Sequence, residues 1–595
     1  MSPSSQLRRT ALRLAIALFA LALLPWAASA QYFGRNKVQY EKFDWKILKT
    51  EHFDIHFYPE EETAVREAAR MAERWYDRLS SVFGREFTER KSLILYADQS
   101  DFQQTTVVGG LIGEGTGGVT EGLRTRVVLP FTGNFEDTDH VLGHELVHVF
   151  QYDILQEPRQ REGGSYQGRR TSVDVPLWFI EGLAEYLSLG RNSPQTAMFL
   201  RDALARDALP NLRQLSRDPD YFPYRWGHAF WAYVGGRWGD GAVGRLFTRG
   251  TRIGLEEALQ EVLGTNEEHF SNDWKAAIRE TYGPVIEARQ APATVGRKLL
   301  PREERTNDTY VGPVISPDGT QFAVFSTRSL FSFDLYLADA RTGEIRGKLF
   351  STDADPHLDS LRFLDSAGSW SPDGRKFAIV VGTRGDNELA ILDVGSRRIE
   401  RQINIREAGQ LWNPSWSPDG RSIAISGSVG GLTDLFLVDL ESGSSRRLTN
   451  DSYADLQPEW APDGRTLAFV SDRGAESAAE TVYRDFGIWA LDVASGQIRR
   501  LVTSATDGLQ FNPKYGPGGR DLYFLSDRAG VSDLYRMSVA SGELFRVTRI
   551  ATGVAGISRL SPALTVSERT GLILISVFTD DRRQVHALEP QAAQG

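Results

Sequence analysis

With 595 residues, the chain is too long for a single hydrophobic core, so we expect two or more domains. Its 41% hydrophobic and 25% charged residues are typical of a globular protein and exclude a disordered or fibrous chain. The formal net charge of −10 disfavours nucleic acid or an anionic membrane as the main partner, and the absence of cysteine excludes thiol catalysis, cysteine metal ligands and disulfides.

The N-terminus has the pattern of a secretory signal peptide. Arg8 and Arg9 precede an apolar stretch at residues 11–24, and Ala28-Ser29-Ala30 forms an A-x-A cleavage site. The stretch is short for a membrane anchor, and no cysteine follows the cleavage site for lipid attachment. We therefore expect a signal peptide at residues 1–30 and an exported mature chain without a transmembrane span.

The part that follows, up to about residue 290, mixes strand and helix patterns. Short alternating or apolar runs predict strands at residues 53–57, 93–96 and 127–129. Apolar residues at helical spacing predict helices at residues 60–83, 139–152, 175–189, 224–238, 255–263 and 266–281. This mixture predicts an α+β domain at residues 31–290.

From about residue 300 a tight-turn motif recurs, and each copy is followed by a short apolar strand. Four copies read Ser/Ala-Pro-Asp-Gly and two are degenerate; they begin at Ser316, Ser371, Ser417, Ala461, Gly516 and Ser561. Proline, aspartate and glycine each favour the backbone of such a turn. The spacing of 44 to 55 residues is about the length of one four-stranded blade. The segment resembles the TolB-type propellers, which implies an all-β six-bladed propeller at residues 291–595.

The motif with the clearest chemical meaning is His144-Glu145-Leu146-Val147-His148. Residues four apart share a helix face, so the two imidazoles can reach one metal ion. Glu145 lies beside that face and can take a proton from a water molecule on the metal. The flanking residues are apolar, so the helix should be buried, where unpaired histidines would be costly. The pattern favours a zinc site over two core histidines.

A catalytic zinc ion needs a third protein ligand and an open position. A second apolar helix carries the sequence W-F-I-E-G-L-A-E from Trp178, with Glu181 and Glu185 one turn apart. The two motifs together resemble the gluzincin metallopeptidases, in which HExxH is followed by a W-x-x-E-G-x-A helix. The resemblance implies that Glu181 is the third zinc ligand. It also implies that Glu185 accepts the ring N–H of a ligand histidine, with a purely structural carboxylate as the alternative.

The segment P-Y-R-W-G from Pro223 is similar to the P-Y-x-x-G segment of aminopeptidase N-type gluzincins. That similarity implies that Tyr224 donates to the oxyanion. His228, on the same face, is the alternative, because thermolysin-like enzymes use a histidine, and a packing role for Tyr224 stays open. The interval of 33 positions from His148 to Glu181 is longer than in those relatives and predicts a surface loop at residues 157–171.

The glycine-rich stretch that ends at Glu121 matches poorly the segment that binds a substrate's amino terminus in aminopeptidases. The choice between endopeptidase and aminopeptidase therefore stays open. No G-x-S-x-G motif occurs, which disfavours a serine peptidase built on a propeller.

We therefore expect a multidomain protein with an α+β gluzincin metallopeptidase domain followed by an all-β six-bladed propeller. The expected activity is Zn²⁺-dependent hydrolysis of a peptide or protein substrate by a zinc-activated water. The propeller is expected to bind envelope proteins or to restrict the access of substrate. TolB-type propellers are typical of the periplasm, so we expect that location, with full secretion as the alternative. The rival hypothesis is a non-enzymatic periplasmic binding protein with a silent zinc site.

Overall fold

The computed structural model describes residues 38–161, 175–302, 308–329, 332–351, 360–474, 486–503 and 508–595. Residues 39–108 and 112–595 belong to one compact unit, which contains a helical region and a ring of β-sheets. The predicted signal peptide at residues 1–30 and most of the predicted loop at residues 157–171 lie outside the described residues. In the described part of the chain, no helix has the length and apolar character to span a bilayer.

The helical region contains a five-stranded sheet in the order β1-β2-β3-β5-β4. The three central strands are parallel, and the two outer strands pair antiparallel with them. The strands are β1 (Lys46–Lys49), β2 (Phe53–Phe57), β3 (Lys91–Tyr96), β4 (Val119–Glu121) and β5 (Arg126–Pro130). The edge strand β4 lies beside the helix that carries the HExxH motif, since Thr120 contacts Glu145.

Ten α-helices surround this sheet in the described chain. They are α1 (Glu62–Phe83), α2 (Gln99–Phe102), α3 (Phe135–Arg161), α4 (Leu177–Leu189), α5 (Pro194–Ala205), α6 (Leu212–Arg217), α7 (Pro223–Trp238), α8 (Asp240–Ile253), α9 (Leu255–Ala258) and α10 (Glu267–Glu287). A π-helical turn, Leu259–Leu263, follows α9.

Helix α1 shows how the apolar pattern positions the zinc motif. Its buried face includes Trp75, which packs against α3 at Gly143. A Cβ at Gly143 would lie 2.5 Å from the indole, so a larger residue would push the two helices apart. Asp139, one turn earlier on α3, accepts a hydrogen bond from the Trp75 indole N–H at 2.7 Å. These contacts with α1 therefore fix the position of α3 along its axis and its rotation about that axis.

The ring consists of six sheets, and each sheet is one blade. Blade 1 contains β7 (Tyr310–Ile315), β8 (Gln321–Ser329), β9 (Ser332–Asp339) and β10 (Ile345–Phe350). Blade 2 contains β11 (Ser360–Leu361), β12 (Ser369–Trp370), β13 (Lys376–Thr383), β14 (Asp386–Asp393) and β15 (Arg398–Asn404). Blade 3 contains β16 (Leu411–Trp416), β17 (Ser422–Val429), β18 (Leu432–Asp439) and β19 (Ser445–Arg447).

Blade 4 contains β20 (Asp455–Trp460), β21 (Thr466–Ser471), β22 (Gly487–Asp492) and β23 (Ile498–Arg500). Blade 5 contains β24 (Gln510–Tyr515), β25 (Asp521–Ser526), β26 (Asp533–Ser538) and β27 (Leu544–Arg546). Blade 6 contains β28 (Leu564–Val566), β29 (Ile573–Thr579) and β30 (Arg582–Leu588), and its fourth strand is β6 (Arg297–Leu300) from the start of the ring. Pairing of β6 with β30 closes the ring, with Leu300 opposite Val585.

Three side-chain amides link neighbouring blades near the ring centre. Asn413, Gln457 and Asn512 adopt positive φ angles of 50°, 51° and 54° at β-bulges in the first strands of blades 3, 4 and 5. The Asn413 amide donates to the carbonyl of Asp365 in blade 2, and Gln457 Oε1 accepts from the Asn512 backbone N–H. The bulges re-aim these side chains from one blade to the next.

The prediction of a six-bladed ring from the turn motifs is confirmed, and so are the predicted strands and helices of the helical region. The sequence patterns did not predict the strands β1, β4 and β6 or the helices α2, α5, α6 and α8. The prediction of a loop from residue 157 is wrong for residues 157–161, because α3 continues to Arg161.

Candidate metal centre

Helices α3 and α4 bring three ligand-type side chains together. The Nε2 atoms of His144 and His148 each lie 3.3 Å from Oε2 of Glu181. In the described part of the chain, these three residues form the one group of His, Cys, Asp or Glu side chains that could hold a metal ion, with their ligand atoms within 4.8 Å of one another. Helical spacing accounts for the two histidines, and the packing of α4 on α3 supplies the glutamate.

The geometry and chemistry of this trio fit zinc. Zinc–ligand distances of about 2.0–2.1 Å in a tetrahedron require ligand atoms roughly 3.3 Å apart, which matches both nitrogen–oxygen distances. Two imidazoles and one carboxylate are also the donor set of catalytic zinc sites, in which a fourth position is left for water or substrate.

The charges at the centre suit a cation. Burial acts to lower the pKa of His144, but hydrogen bonds to Glu181 and Glu185 outweigh it and raise the pKa to about 10. Burial would raise the pKa of Glu181, but hydrogen bonds to His144 and His148 lower it to about 2. Glu181 is therefore ionised at neutral pH, which is the form that binds a metal. The carboxylates that favour a proton on His144 would also favour a bound metal ion, which would replace that proton.

Glu145 is held beside the trio by the edge strand β4. Its Oε2 accepts a hydrogen bond of 2.6 Å from the hydroxyl of Thr120. A Cβ at Gly118 would lie 2.9 Å from Cγ of Glu145, so glycine at this position leaves room for the carboxylate. The sequence analysis did not identify Thr120 or Gly118, since their proximity depends on how β4 meets α3.

Glu185 contacts the ring nitrogen of His144 that faces away from Glu181. Its Oε1 is 3.2 Å from Nδ1 of His144, and its Oε2 accepts a 2.8 Å hydrogen bond from Arg225 on α7. Burial would raise the pKa of Glu185, but the contacts with His144 and Arg225 hold this pKa well below its usual range. His140 borders the same carboxylate at 3.6 Å, and burial lowers its pKa to about 4. Arg225 is a site residue that the sequence analysis missed.

Gln151 makes the corresponding contact with His148. Its Oε1 lies 2.7 Å from Nδ1 of His148, and its Nε2 donates to the backbone carbonyl of Ile180 at 3.0 Å. Gln151 was also missed, although its position three residues after His148 on the same helix was a signal that could have found it.

The two candidates for oxyanion stabilisation lie in different surroundings. The ring of Tyr224 stacks on His144, with centroids 6.0 Å apart, and its hydroxyl hydrogen-bonds to Glu181. Burial and the Glu181 charge raise the pKa of Tyr224, so the hydroxyl keeps its proton. His228 is 1% exposed, and its Nε2 lies 2.9 Å from the carbonyl of Gly190, away from the trio. Burial lowers the pKa of His228.

Glu121, which the sequence analysis weighed as a carboxylate for a substrate amine, is engaged by its own turn. It accepts hydrogen bonds from the backbone of Leu123 and Arg124 and from the side chain of Arg126. Burial would raise the pKa of Glu121, but these hydrogen bonds together lower it, and they hold the β4–β5 turn together.

The ring of blades packs against the elements that surround the centre. Arg559 forms an ion pair with Glu136 in the first turn of α3. Glu114, which precedes β4, accepts a hydrogen bond of 3.1 Å from the backbone of Phe363 in blade 2. The propeller therefore contacts both α3 and the segment leading to the edge strand β4.

Residues 557–561 cross the centre of the ring on this side. Ile557 packs on the core of blades 1 and 2, whereas Leu560 belongs to the core of blades 4 to 6. The carbonyl of Leu560 accepts a 2.6 Å hydrogen bond from Gln457, and Ser558 donates to Asp365. This crossing segment connects opposite blades directly.

A family model described as the TolB beta propeller domain matches residues 364–485. The C-terminal part of the chain is thus a six-bladed β-propeller that is similar to the TolB-type propellers.

Several solved structures are similar to this chain. TolB from Acinetobacter baumannii is 16% identical, with 55% of this chain and 69% of that one covered and a TM-score of 0.35. A putative TolB from Agrobacterium tumefaciens is 20% identical over 47% and 90% of the two chains, with a TM-score of 0.35. An oligogalacturonate lyase in complex with manganese is 14% identical over 51% and 96%, with a TM-score of 0.34. No curated protein matches the chain.

Proposed function

We propose that the protein is an exported zinc-dependent peptidase of the gluzincin type, and that its TolB-type propeller binds envelope proteins or restricts substrate access. The observation that carries the proposal is the meeting of His144, His148 and Glu181 beside Glu145. A purely structural zinc site has no use for a carboxylate held next to the ligands, whereas hydrolysis requires a base there.

The residues around the trio have the chemistry that peptide hydrolysis needs. When bound, zinc would lower the pKa of a water molecule and polarise the scissile carbonyl. Glu145, oriented by Thr120, would accept the proton of that water and return it to the leaving amine. Tyr224 would donate its hydroxyl proton in a hydrogen bond to the developing oxyanion.

His228 is the weaker candidate for the oxyanion role, because its Nε2 is directed at the Gly190 carbonyl. The proposal therefore assigns that role to Tyr224. Glu121, the candidate carboxylate for a substrate amine, is already engaged by Arg126. The choice between endopeptidase and aminopeptidase therefore stays open.

The propeller would restrict the access of substrate to the site from one side. Its contacts reach Glu136 on the zinc helix and Glu114 before the edge strand. A bulky folded substrate would be excluded from the centre by steric contact with the propeller. TolB-type propellers are typical of the periplasm, and the N-terminal sequence pattern supports export to that compartment.

The test is hydrolysis of casein, an unfolded protein, by the mature chain and by its Glu145→Gln variant, with the zinc content of both measured. The variant keeps the shape of the side chain and removes its basicity. We expect equal zinc content and a loss of activity of about 10²–10⁴-fold in the variant.

A wild-type chain that holds zinc but cleaves neither casein nor short peptides would contradict the peptidase proposal. It would favour the rival function, a periplasmic binding protein that acts through its propeller and has a silent zinc site.

A further inference from the structure

We propose that Gln151 is a positioning residue that sets the ring tautomer of His148 and fixes the spacing of the two ligand helices. The inference rests on the proposed function, because it concerns the same centre. Gln151 is 2% exposed, so both ends of its amide must find their hydrogen-bond partners within the protein.

The orientation of the Gln151 amide follows from its two partners. A backbone carbonyl can only accept, so the group 3.0 Å from the Ile180 oxygen is the amide NH₂. The amide oxygen then faces Nδ1 of His148 at 2.7 Å, and it can only accept. The proton of His148 is therefore on Nδ1. The lone pair of Nε2, which lies 3.3 Å from Oε2 of Glu181, is then available to a metal ion.

The same side chain connects the two ligand helices. Gln151 lies on α3, three residues after His148, and Ile180 lies on α4, immediately before Glu181. The amide oxygen thus contacts the ligand-type His148 on α3. The amide NH₂ of the same side chain contacts the backbone next to Glu181 on α4. A change in the distance between α3 and α4 would break one of the two hydrogen bonds.

The neutral character of this acceptor also fits the charges nearby. His144 faces the carboxylate of Glu185, which Arg225 already neutralises in part, whereas His148 faces an uncharged amide. The charges of Glu145, Glu181 and Glu185 would balance those of Arg225 and a bound Zn²⁺. A further carboxylate at position 151 would leave one excess negative charge and would place an acceptor against the Ile180 carbonyl.

The experiment compares the full mature chain with its Gln151→Glu and Gln151→Met variants, and measures Zn²⁺ affinity by competition with a chelator. The matched control is Gln156→Met, because Gln156 lies on the same helix and its amide donates to the Gly122 carbonyl, away from the trio. We expect Zn²⁺ affinity to fall about 10–100-fold in both Gln151 variants and to stay at the wild-type value in the control.

Thermal unfolding of the zinc-free proteins separates positioning from general stability. We expect the zinc-free Gln151→Glu chain to remain folded, with its deficit confined to metal affinity. Wild-type affinity in both Gln151 variants, or an equal loss in Gln156→Met, would overturn the inference. A wild-type chain that binds no Zn²⁺ would overturn the proposed function as well, so the two failures are distinguishable.

Discussion

At the scale of single residues, Tyr224 combines a packing contact with a hydroxyl group that can donate a hydrogen bond. Its ring stacks on His144, and its hydroxyl reaches Glu181. Because its raised pKa keeps the hydroxyl protonated, the group can donate throughout the neutral range. A phenylalanine would preserve the stacking and remove only the donor.

We therefore expect Tyr224→Phe to lower kcat about 10²–10³-fold, with zinc content unchanged. The control is Tyr233→Phe on the same helix, because the Tyr233 hydroxyl accepts a hydrogen bond from Arg237 and not from the trio. Steady-state kinetics on a peptide substrate measure the effect. Equal activity of the two variants would remove Tyr224 from the mechanism.

At the scale of elements, two glycines let helices α4 and α7 touch backbone to backbone. A Cβ at Gly182 would lie 2.2 Å from the backbone of Gly227, and a Cβ at Gly227 would lie 2.0 Å from the Trp178 carbonyl oxygen. This close approach brings Tyr224, one turn before Gly227, to Glu181, which precedes Gly182. The glycines of the two motifs are therefore needed for the geometry of the site.

Gly227→Ala should separate α4 from α7, lower the free energy of unfolding by about 1–3 kcal/mol and reduce peptidase activity. Gly236→Ala, on the same helix, is the matched control. Its Cβ would meet no atom within 4 Å, so it should raise stability by about 0.5–1 kcal/mol. Denaturant unfolding and casein hydrolysis measure both. A neutral Gly227→Ala would show that the helices can move apart freely.

Particular elements show how far the sequence could be interpreted. The HExxH spacing and the Pro-Asp-Gly turns are local patterns, so the helix α3 and the six blades could be predicted from them. Helix α8 could not, because Gly241, Gly244 and Gly250 weaken its helical propensity. Packing decides there: a Cβ at Gly244 would lie 2.1 Å from the carbonyl of Val82 on α1. Arg225 was missed for a related reason, since its partner Glu185 lies on another helix. The same holds for Ile180, one of the two partners of Gln151.

At the scale of the whole molecule, a buried cation joins the helical region to the propeller. Arg362 of blade 2 is 2% exposed and donates to the Ser100 hydroxyl on α2 at 2.9 Å and to Asn387 at 2.8 Å. Its charge also acts on the buried carboxyl groups of Asp98 and Glu114, and lowers their pKa values against the larger effect of burial. Such a contact couples the stability of the two parts.

We expect one cooperative transition when the wild-type chain is heated in a calorimeter. Arg362→Ala should cost about 3–5 kcal/mol, because it leaves buried acceptors and acids without their cation. Arg375→Ala, in an exposed turn of the same blade, is the control and should change little. Two separate transitions in the wild type, or equal effects of the two substitutions, would contradict this coupling.

The closing strand β6 has a consequence for how the chain reaches its native state. Blade 6 is complete only when Leu300 in β6 pairs with Val585 in β30, which lies far from it in the sequence. Contacts this distant in sequence form slowly, because a very long loop must be closed first. Until then the edge of blade 6 at β30 stays open to pairing with other chains. The pairing of β30 with β6 thus completes the ring, and a chain shortened before β30 would be left unclosed and prone to aggregation.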